Sequence, residues 1–450
     1  MVQTTTYVAA PDAPPPRPPA AATLEAGRYT SPAFMRREWE GMWTRTWLLA
    51  ALEQDVRDPG DFVVFDIGPE SILITRTREG KVSAVYNVCQ HRGNRLKIEA
   101  HGCVKAITCP YHGWSYDLDG RLRAVPDSDR FSQGIDRDVL SLKPVKVELW
   151  AGLVWINMDP DAASLAEFLG PVQARLAPYH FERMWLAKDQ TVRLDANWKT
   201  AVDNFNEQYH VDFLHPQHAS FVDCANAANL LFPGGHRGVE VHGYGVNPRY
   251  PIPQELPALL QGAIAPLGLD PADFRGRVTD LRLAVQKRKR EVGASLGYDY
   301  SDLADDQLSD VWQYDLFPNV IMTIQPEELW IMRPRPHPTD PDKCFFDKWT
   351  LRAPVHGRIG GQDIALGTGD KPAANAGRPP REVFGQDEVI AGKHTMTITI
   401  DQDIHYLPWM QAGMHSRGFT RAVLNDDESR IQHFHDWLDV YVGKGGEAVS

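Results

Sequence analysis

Cys89-Gln90-His91 and Cys109-Pro110-Tyr111-His112 are the two short stretches on which the reading of this chain turns. Each offers one thiolate and one imidazole, spaced Cys-x-His in the first and Cys-x-x-His in the second. Four such ligands could close a tetrahedral zinc site, since Cys₂His₂ is a common structural set. A zinc finger, however, keeps its cysteines at one end and its histidines at the other, whereas each clip here mixes the two. Mixed clips suit a two-iron cluster in which two cysteines hold one iron and two histidines the other. The cluster is the preferred reading, with zinc as the alternative.

With Pro110 inside the second clip and Gly113-Trp114 behind it, the pattern resembles the Rieske [2Fe–2S] motif. Respiratory Rieske proteins usually add a membrane anchor and a further cysteine pair. Here Asn94 stands where the first clip would run on toward a third cysteine, and the second reads Cys-Pro-Tyr-His, so the resemblance is to the oxygenase type. His101 and Cys103 fall between the clips but outside the ligand pattern. They are expected to be a loop residue and a packing residue.

Length and composition frame the rest. The chain has 450 residues, 43% of them hydrophobic, and a formal net charge of -12. That length suits two or three domains with sizeable cores, and the acidic balance argues against general nucleic-acid binding. The one basic run, Gln286-Lys287-Arg288-Lys289-Arg290, reads as a solvated helix face, with a docking patch for an acidic redox partner as the sharper alternative. Five scattered cysteines make no disulfide framework and point to a reducing compartment. No apolar run is long enough to span a bilayer, and no basic-then-apolar leader opens the chain. A cytoplasmic location is expected, with no membrane partner.

Taken in order, residues 1–25 are rich in Pro, Ala and Thr and read as a disordered tail. Residues 26–47 are expected to form an N-terminal helix packing on the catalytic domain, with Ser31 as cap and Pro32 at its first position. Residues 48–157 alternate apolar and polar positions between glycine turns and read as a small antiparallel β domain carrying the clips on loops. Residues 158–450 read as mixed helix and strand. Within them, Leu165 to Tyr179 suits one amphipathic helix, Leu316–Thr323 and Glu328–Arg333 suit strands, Gly357–Gly392 a lid or inserted loop, and Asp427–Val442 a closing helix.

The second informative stretch runs from Asn197-Trp198-Lys199 through Asn204-Phe205-Asn206-Glu207-Gln208-Tyr209-His210 to His215-Pro216. His210 and His215 lie about 140° apart around a regular helix, awkward for two ligands of one ion unless a π-bulge or helix end intervenes. The whole stretch closely resembles the mononuclear-iron helix of Rieske oxygenases. A facial triad needs one carboxylate beside two histidines. The family takes it from a late helix before a Gln-x-Gly segment, here Gln411-Ala412-Gly413. That resemblance favours Asp403, with Asp401 as fallback or as an N-cap; Pro408 interrupts the helix pattern there.

The resemblance, then, is to the catalytic α subunit of Rieske non-haem iron, aromatic ring-hydroxylating oxygenases, over nearly all the chain beyond the tail. It implies an α+β protein: an antiparallel β Rieske domain plus a helix-grip (Bet v1/START-like) domain with an antiparallel sheet. It implies Cys89, His91, Cys109 and His112 on the cluster, and His210, His215 and Asp403 on a mononuclear Fe(II). Glu207 and Asn204 are the implied catalytic residues, with Glu207 bridging to a neighbouring subunit's cluster. Many aromatic-ring dioxygenases carry Asp at that position, so Glu207 is a departure. Further implications are O₂, a ferredoxin and/or flavin reductase drawing on NAD(P)H, and a homotrimer with or without β subunits (α3β3). The default reaction is hydroxylation or dihydroxylation of a small apolar, aromatic substrate. Oxidative O- or N-demethylation by mono-oxygenation is the alternative, and a Rieske electron carrier without oxygenase activity is the rival of another class. Phe205, Phe221, Phe317 and Trp330 are the expected pocket walls.

Overall fold

The computed structural model of the protein describes residues 4–7, 23–353 and 378–445. Two compact units emerge, divided between Glu38 and Trp39 and between Phe168 and Leu169. The smaller unit therefore runs beyond the expected 48–157 at both ends. The expected N-terminal helix is split: Pro32–Glu38 belongs to the larger unit, and a π-helical turn, Trp39–Trp43, opens the smaller one.

The smaller unit is built on antiparallel pairing. Its seven-stranded sheet has the order Leu48–Leu52, Leu153–Asn157, Pro144–Trp150, Val82–Tyr86, Glu70–Arg76, Asp61–Ile67, His101–Cys103. A three-stranded sheet joins Leu122–Ala124, Ser115–Tyr116 and Ile107–Thr108. The apolar sides of these strands meet in one core around Leu73, Val85, Ile107, Trp114 and Tyr116, and Cys89 and Cys109 are part of it. His101 and Cys103 lie on an exposed edge strand paired with Asp61–Val63, so His101 is not a loop residue.

The larger unit has a nine-stranded sheet: Thr4–Tyr7, Ala228–Leu231, Arg237–Val241, Val311–Leu316, Val320–Ile324, Glu328–Pro336, Cys344–Arg352, Trp185–Leu194, Arg381–Gly385. It is antiparallel except at its edges, where Thr4–Tyr7 and Arg381–Gly385 add in parallel. Both edge strands come from segments read as structureless, the tail and the 357–392 insertion. Main-chain hydrogen bonding to an open sheet edge does not require apolar side chains, so composition gave no sign of it. The other residues of the tail before Thr23 and residues 354–377 lie outside the described residues.

Helices pack on this sheet, the short Gln386–Ile390 among them. Trp198–Asn204 lies against Glu328–Pro336 and Cys344–Arg352, Ile398–Met414 against Trp185–Leu194, and Ser429–Gly445 against Ala228–Leu231 and Arg237–Val241. The last buries Ile431, Phe434, Leu438 and Val442, a repeat of three to four residues that puts one apolar stripe on the sheet. Ile398–Met414 runs through Pro408 without ending there. Leu165–Tyr179 is not one helix: it breaks at Gly170-Pro171 into Leu165–Leu169 and Val172–Leu176. Gly170 turns there with φ +50°.

A helical excursion, including Ala258–Ile264 and Leu281–Val292, joins two neighbouring strands, Arg237–Val241 and Val311–Leu316, and holds its own core around Leu260, Ile264 and Leu281. The basic run sits here and is a solvated face only in part: Lys287 and Arg290 are exposed, while Gln286 and Lys289 turn inward. Lys289 is buried against Glu327 at 2.9 Å, Gln286 is buried on Ser309, and Arg290 pairs with Asp305. Among the described residues, no helix is long and apolar enough to cross a membrane.

Candidate metal centres

The two clips fold as near copies of one turn. Cys89 N–H donates to Asn94 O at 2.8 Å and Gly93 N–H to Cys89 O at 3.0 Å; Cys109 N–H donates to Trp114 O at 2.8 Å and Gly113 N–H to Cys109 O at 3.1 Å. Each turn needs a positive φ at its glycine, +73° at Gly93 and +72° at Gly113. The result sorts the ligands by type. Cys89 and Cys109 lie side by side in the core, each 2% exposed, while the His91 and His112 rings meet at 4.6 Å nearer the surface. Trp114 stacks flat on His91 at 4.9 Å.

This sorting tests the donor set against its two candidate occupants. A single tetrahedral zinc would draw all four donor atoms to within about 4 Å of each other, given bonds of about 2.0–2.3 Å. Among the described residues, the clip residues do not form a group of three donors placed for one metal ion. Two thiols on one side and two imidazoles on the other fit a two-iron cluster. The Cys89 thiol is pushed up by burial, against the Tyr116 hydroxyl 3.4 Å from its sulfur. Asn94 Nδ2 stands 3.9 Å from the Cys109 sulfur. Burial, then the neighbouring His112, hold His91 below its usual range, the direction that suits a metal ligand, and its buried Nδ1 has no hydrogen-bond partner among the described residues.

The second centre is drawn from segments far apart in the chain. His210 and His215 flank the one-turn helix Val211–Leu214, as its N-cap and C-cap. The five-residue spacing is resolved by helix ends, since the regular Trp198–Asn204 helix stops before Glu207. Asp403 comes from the Ile398–Met414 helix. Its Oδ1 lies 3.6 Å from His210 Nε2 and 3.2 Å from His215 Nε2. Their candidate ligand atoms all fall within 4.8 Å of one another, and among the described residues the buried Asp403 Oδ1 has no hydrogen-bond donor. That convergence fits a divalent metal. Asp401 is elsewhere: its carboxylate accepts from Met396 N–H and Thr395 Oγ1, and the helix is capped by Thr397 rather than by Asp401.

Behind His210, Nδ1 contacts Glu207 Oε1, and Glu207 Oε2 accepts from His210 N–H at 3.0 Å. Burial pulls the His210 pKa down, but the Glu207 hydrogen bond and charge, with Asp403, together raise it. The same field favours a bound cation. Asn204 Nδ2 is buried beside this centre and has no hydrogen-bond partner among the described residues.

The motifs around the centre prove to be fasteners. Asn197 caps its helix by accepting from Lys199 N–H at 3.0 Å and donates to Tyr29 O and Pro341 O. Gln411, of the Gln-x-Gly segment, accepts from Asn197 N–H at 3.0 Å and from Thr200 Oγ1 at 3.2 Å, tying the Asp403 helix to the Trp198–Asn204 helix. Lys199 is buried against Glu38 at 2.6 Å.

A cavity of about 230 Å³ opens beside the three ligand atoms, lined by Asn204, Glu207, His210, His215 and Asp403 at one end. Phe205, Phe221, Val241, Leu260 and Met332 give it apolar walls; Gln313, Thr323, Gln325, Glu328 and Trp330 line the sheet side. Of the four expected wall residues, Phe317 is not one: it is fully buried in the core against Tyr441 and Phe434. Gly243 lets two wall segments touch, since a Cβ there would lie 2.0 Å from Ser309 O. His218, which the sequence reading passed over, also lines the cavity and bonds Thr399 Oγ1 at 2.8 Å. Burial, then the neighbouring His215, lower its pKa to about 4.

Residues 181–444 match the model of the ring hydroxylating alpha subunit (catalytic domain) family, and residues 46–144 match the Rieske [2Fe-2S] domain. The chain belongs to the ring-hydroxylating alpha-subunit family. The family's centres are a Rieske [2Fe–2S] cluster and a mononuclear iron, and the donor sets above fit both. It is 32% identical over 189 residues to the glycine betaine monooxygenase oxygenase subunit of Pseudomonas aeruginosa, covering 42% of this chain and 44% of that one. It is 36% identical over 201 residues to the carnitine monooxygenase oxygenase subunit of Escherichia coli (strain K12), covering 44% and 54%. The match thus spans about half the length of these curated relatives. The fold is shared with the quaternary ammonium Rieske monooxygenase CntA in complex with L-carnitine (20% identity, TM-score 0.66, 94% of this chain and 97% of that one). It is shared too with naphthalene 1,2-dioxygenase from Rhodococcus sp. bound to indole (18% identity, TM-score 0.65, 94% and 95%).

Proposed function

We propose that this chain is the oxygenase component of a multicomponent Rieske system and inserts oxygen into a C–H bond of a small organic substrate. The observation that carries this is the convergence of His210, His215 and Asp403 on one end of a mostly apolar cavity, in a chain that also carries the paired Cys/His clips. When bound, the two iron centres supply one-electron transfer and reduction of O₂. The balance is substrate C–H plus O₂, two electrons and two protons giving C–OH and water. The electrons come from NAD(P)H through a reductase or ferredoxin.

The protein's share is placement. His210 Nε2, His215 Nε2 and Asp403 would hold the mononuclear iron. Glu207, bonded to the His210 ring, fixes its orientation and is the group through which an electron would enter from a neighbouring subunit's cluster. Asn204 would offer a buried amide N–H to a substrate at this end of the cavity. Phe205, Phe221 and Leu260 hold the substrate and keep water out of the reacting region.

For the substrate, the relatives' names and the sheet-side wall favour a quaternary ammonium compound. Its methyl groups are apolar, and its charge is stabilised by aromatic faces and nearby carboxylates; Trp330 and Glu207 stand on the wall, where Glu328 is already paired with Arg352 at 3.0 Å. Hydroxylation of an aromatic ring is the second reading, favoured by the flat apolar walls at Phe205 and Phe221. Product analysis under ¹⁸O₂ separates them. Mono-oxygenation of an N-methyl or adjacent C–H gives one labelled oxygen, with formaldehyde if a methyl is lost, and a ring cis-diol carries two. Absence of labelled product with every electron donor would leave the electron-carrier reading. The trimer is tested by native mass; turnover by a species of one chain's mass would contradict it.

A further inference from the structure

The two histidines of the triad are held from behind by unlike groups. His210 Nδ1 meets a carboxylate, Glu207, whereas His215 Nδ1 lies 2.7 Å from a neutral amide oxygen, Gln402 Oε1. That amide is itself fixed. Gln217 Nε2 donates to the same Oε1 at 2.8 Å, and Gln402 Nε2 donates back to Gln217 Oε1 at 3.3 Å. With Nε2 turned to Asp403 and the metal site, the ring proton of His215 lies on Nδ1, and Gln402 as placed presents the oxygen that accepts it. The other nitrogen, Nε2, is left as a bare lone pair 3.2 Å from Asp403 Oδ1. Two acceptors so placed repel unless a cation lies between them. The pair also joins the segment just past His215 to the helix that carries Asp403.

We propose that Gln402, oriented by Gln217, is a positioning residue for the metal at this centre: it sets the His215 tautomer and clamps the two ligand-bearing segments together. This rests on the reading of His210, His215 and Asp403 as the iron ligands. A charge-neutral support on one histidine and a carboxylate on the other makes the centre asymmetric, and a carboxylate in place of Gln402 should remove the asymmetry.

The test is anaerobic Fe(II) binding to the full chain against a chromogenic chelator, with the cluster's visible absorption as a control. Gln402→Met keeps the side-chain length but offers no oxygen, and should weaken Fe(II) binding about 10–100-fold, the usual cost of losing a metal ligand's outer partner. Gln402→Glu restores the acceptor and should bind Fe(II) at least as tightly as the wild type. Gln217→Ala frees the Gln402 amide and should cost less than Gln402→Met; it carries the test if Gln402→Met does not fold. Wild-type affinity in Gln402→Met, or in Gln217→Ala where that variant carries the test, would overturn the proposal, as would equal losses in Gln402→Met and Gln402→Glu. His210→Ala distinguishes the two levels. If it binds Fe(II) like the wild type, the triad reading has failed; if it loses Fe(II) while Gln402→Met does not, only the role of Gln402 has.

Discussion

The two centres are opposites in construction. The cluster site is local: two repeated turns, each closed by a Cys N–H bond and a left-handed glycine, deliver all four side chains from loops of one small β unit. The triad is assembled over long range, with two histidines on a broken helix and a carboxylate on a helix from near the far end of the chain. A local site survives as long as its turns form. A long-range site depends on every fastener between its segments, here Gln411, Asn197, the Lys199–Glu38 pair and the Gln402–Gln217 clamp. Damage should therefore be separable: turn mutations should strike the cluster alone, and fastener mutations the triad alone.

The largest expected effect is at Cys109→Ser, which should abolish the cluster's visible absorption while leaving Fe(II) binding at His210, His215 and Asp403 intact. Loss of both would show that the centres are not independent. Next, Glu38→Ala strands the Lys199 ammonium in the interior and should destabilise the larger unit by about 3–5 kcal/mol. Denaturant unfolding followed by tryptophan emission should report this, with the cluster's bleaching midpoint unmoved. Gly113→Ala forces an L side chain into φ +72° with a Cβ 3.3 Å from Pro126 Cγ. It should cost about 1–3 kcal/mol at the cluster turn. Gly93→Ala, at a like φ but with nothing within 4 Å of its Cβ, should cost less; equal costs would mean that sterics at Pro126 are unimportant.

The smallest effect concerns pH. Burial pushes the Glu428 carboxyl up to about 7, against the Asn425 N–H that lowers it, with Glu207 and Asp203 nearby adding to the rise. The folded state thus keeps a proton that the unfolded chain releases near 4.5. Its contribution to stability is full below that value and falls as pH rises toward about 7. Glu428→Gln should flatten the decline of melting temperature over this window. A steeper decline in the variant would contradict the sign.

What was legible in the sequence follows the same contrast. Cys89, His91, Cys109 and His112 could be read as a set because their spacing is itself the structure. His210 and His215 read as a pair only with their neighbours, and spacing does not distinguish a bulge from the two helix ends that the structure shows. Asp403 over Asp401 comes from resemblance, and the structure shows why spacing alone is mute: both stand in the first two turns of one helix, one aimed at the histidines and the other accepting from Met396 N–H. Gln402 and Gln217 gave no signal, because a glutamine near a ligand has no distinctive pattern until its partner is known. The edge strands Thr4–Tyr7 and Arg381–Gly385 were missed because backbone pairing leaves little trace in composition. Lys289 was misread because a charge run does not show which member has a buried Glu327 waiting for it.

The central claim is that two distinct iron centres occupy this chain, a sulfur-bridged pair at the clips and a lone ion at the triad. Metal and acid-labile sulfide analysis of the purified protein, beside Asp403→Ala, tests it most directly. The account predicts about three irons and about two sulfides per chain in the wild type, and about two of each in Asp403→Ala. Zinc at the clips without sulfide, or an iron count that Asp403→Ala leaves unchanged, would contradict it.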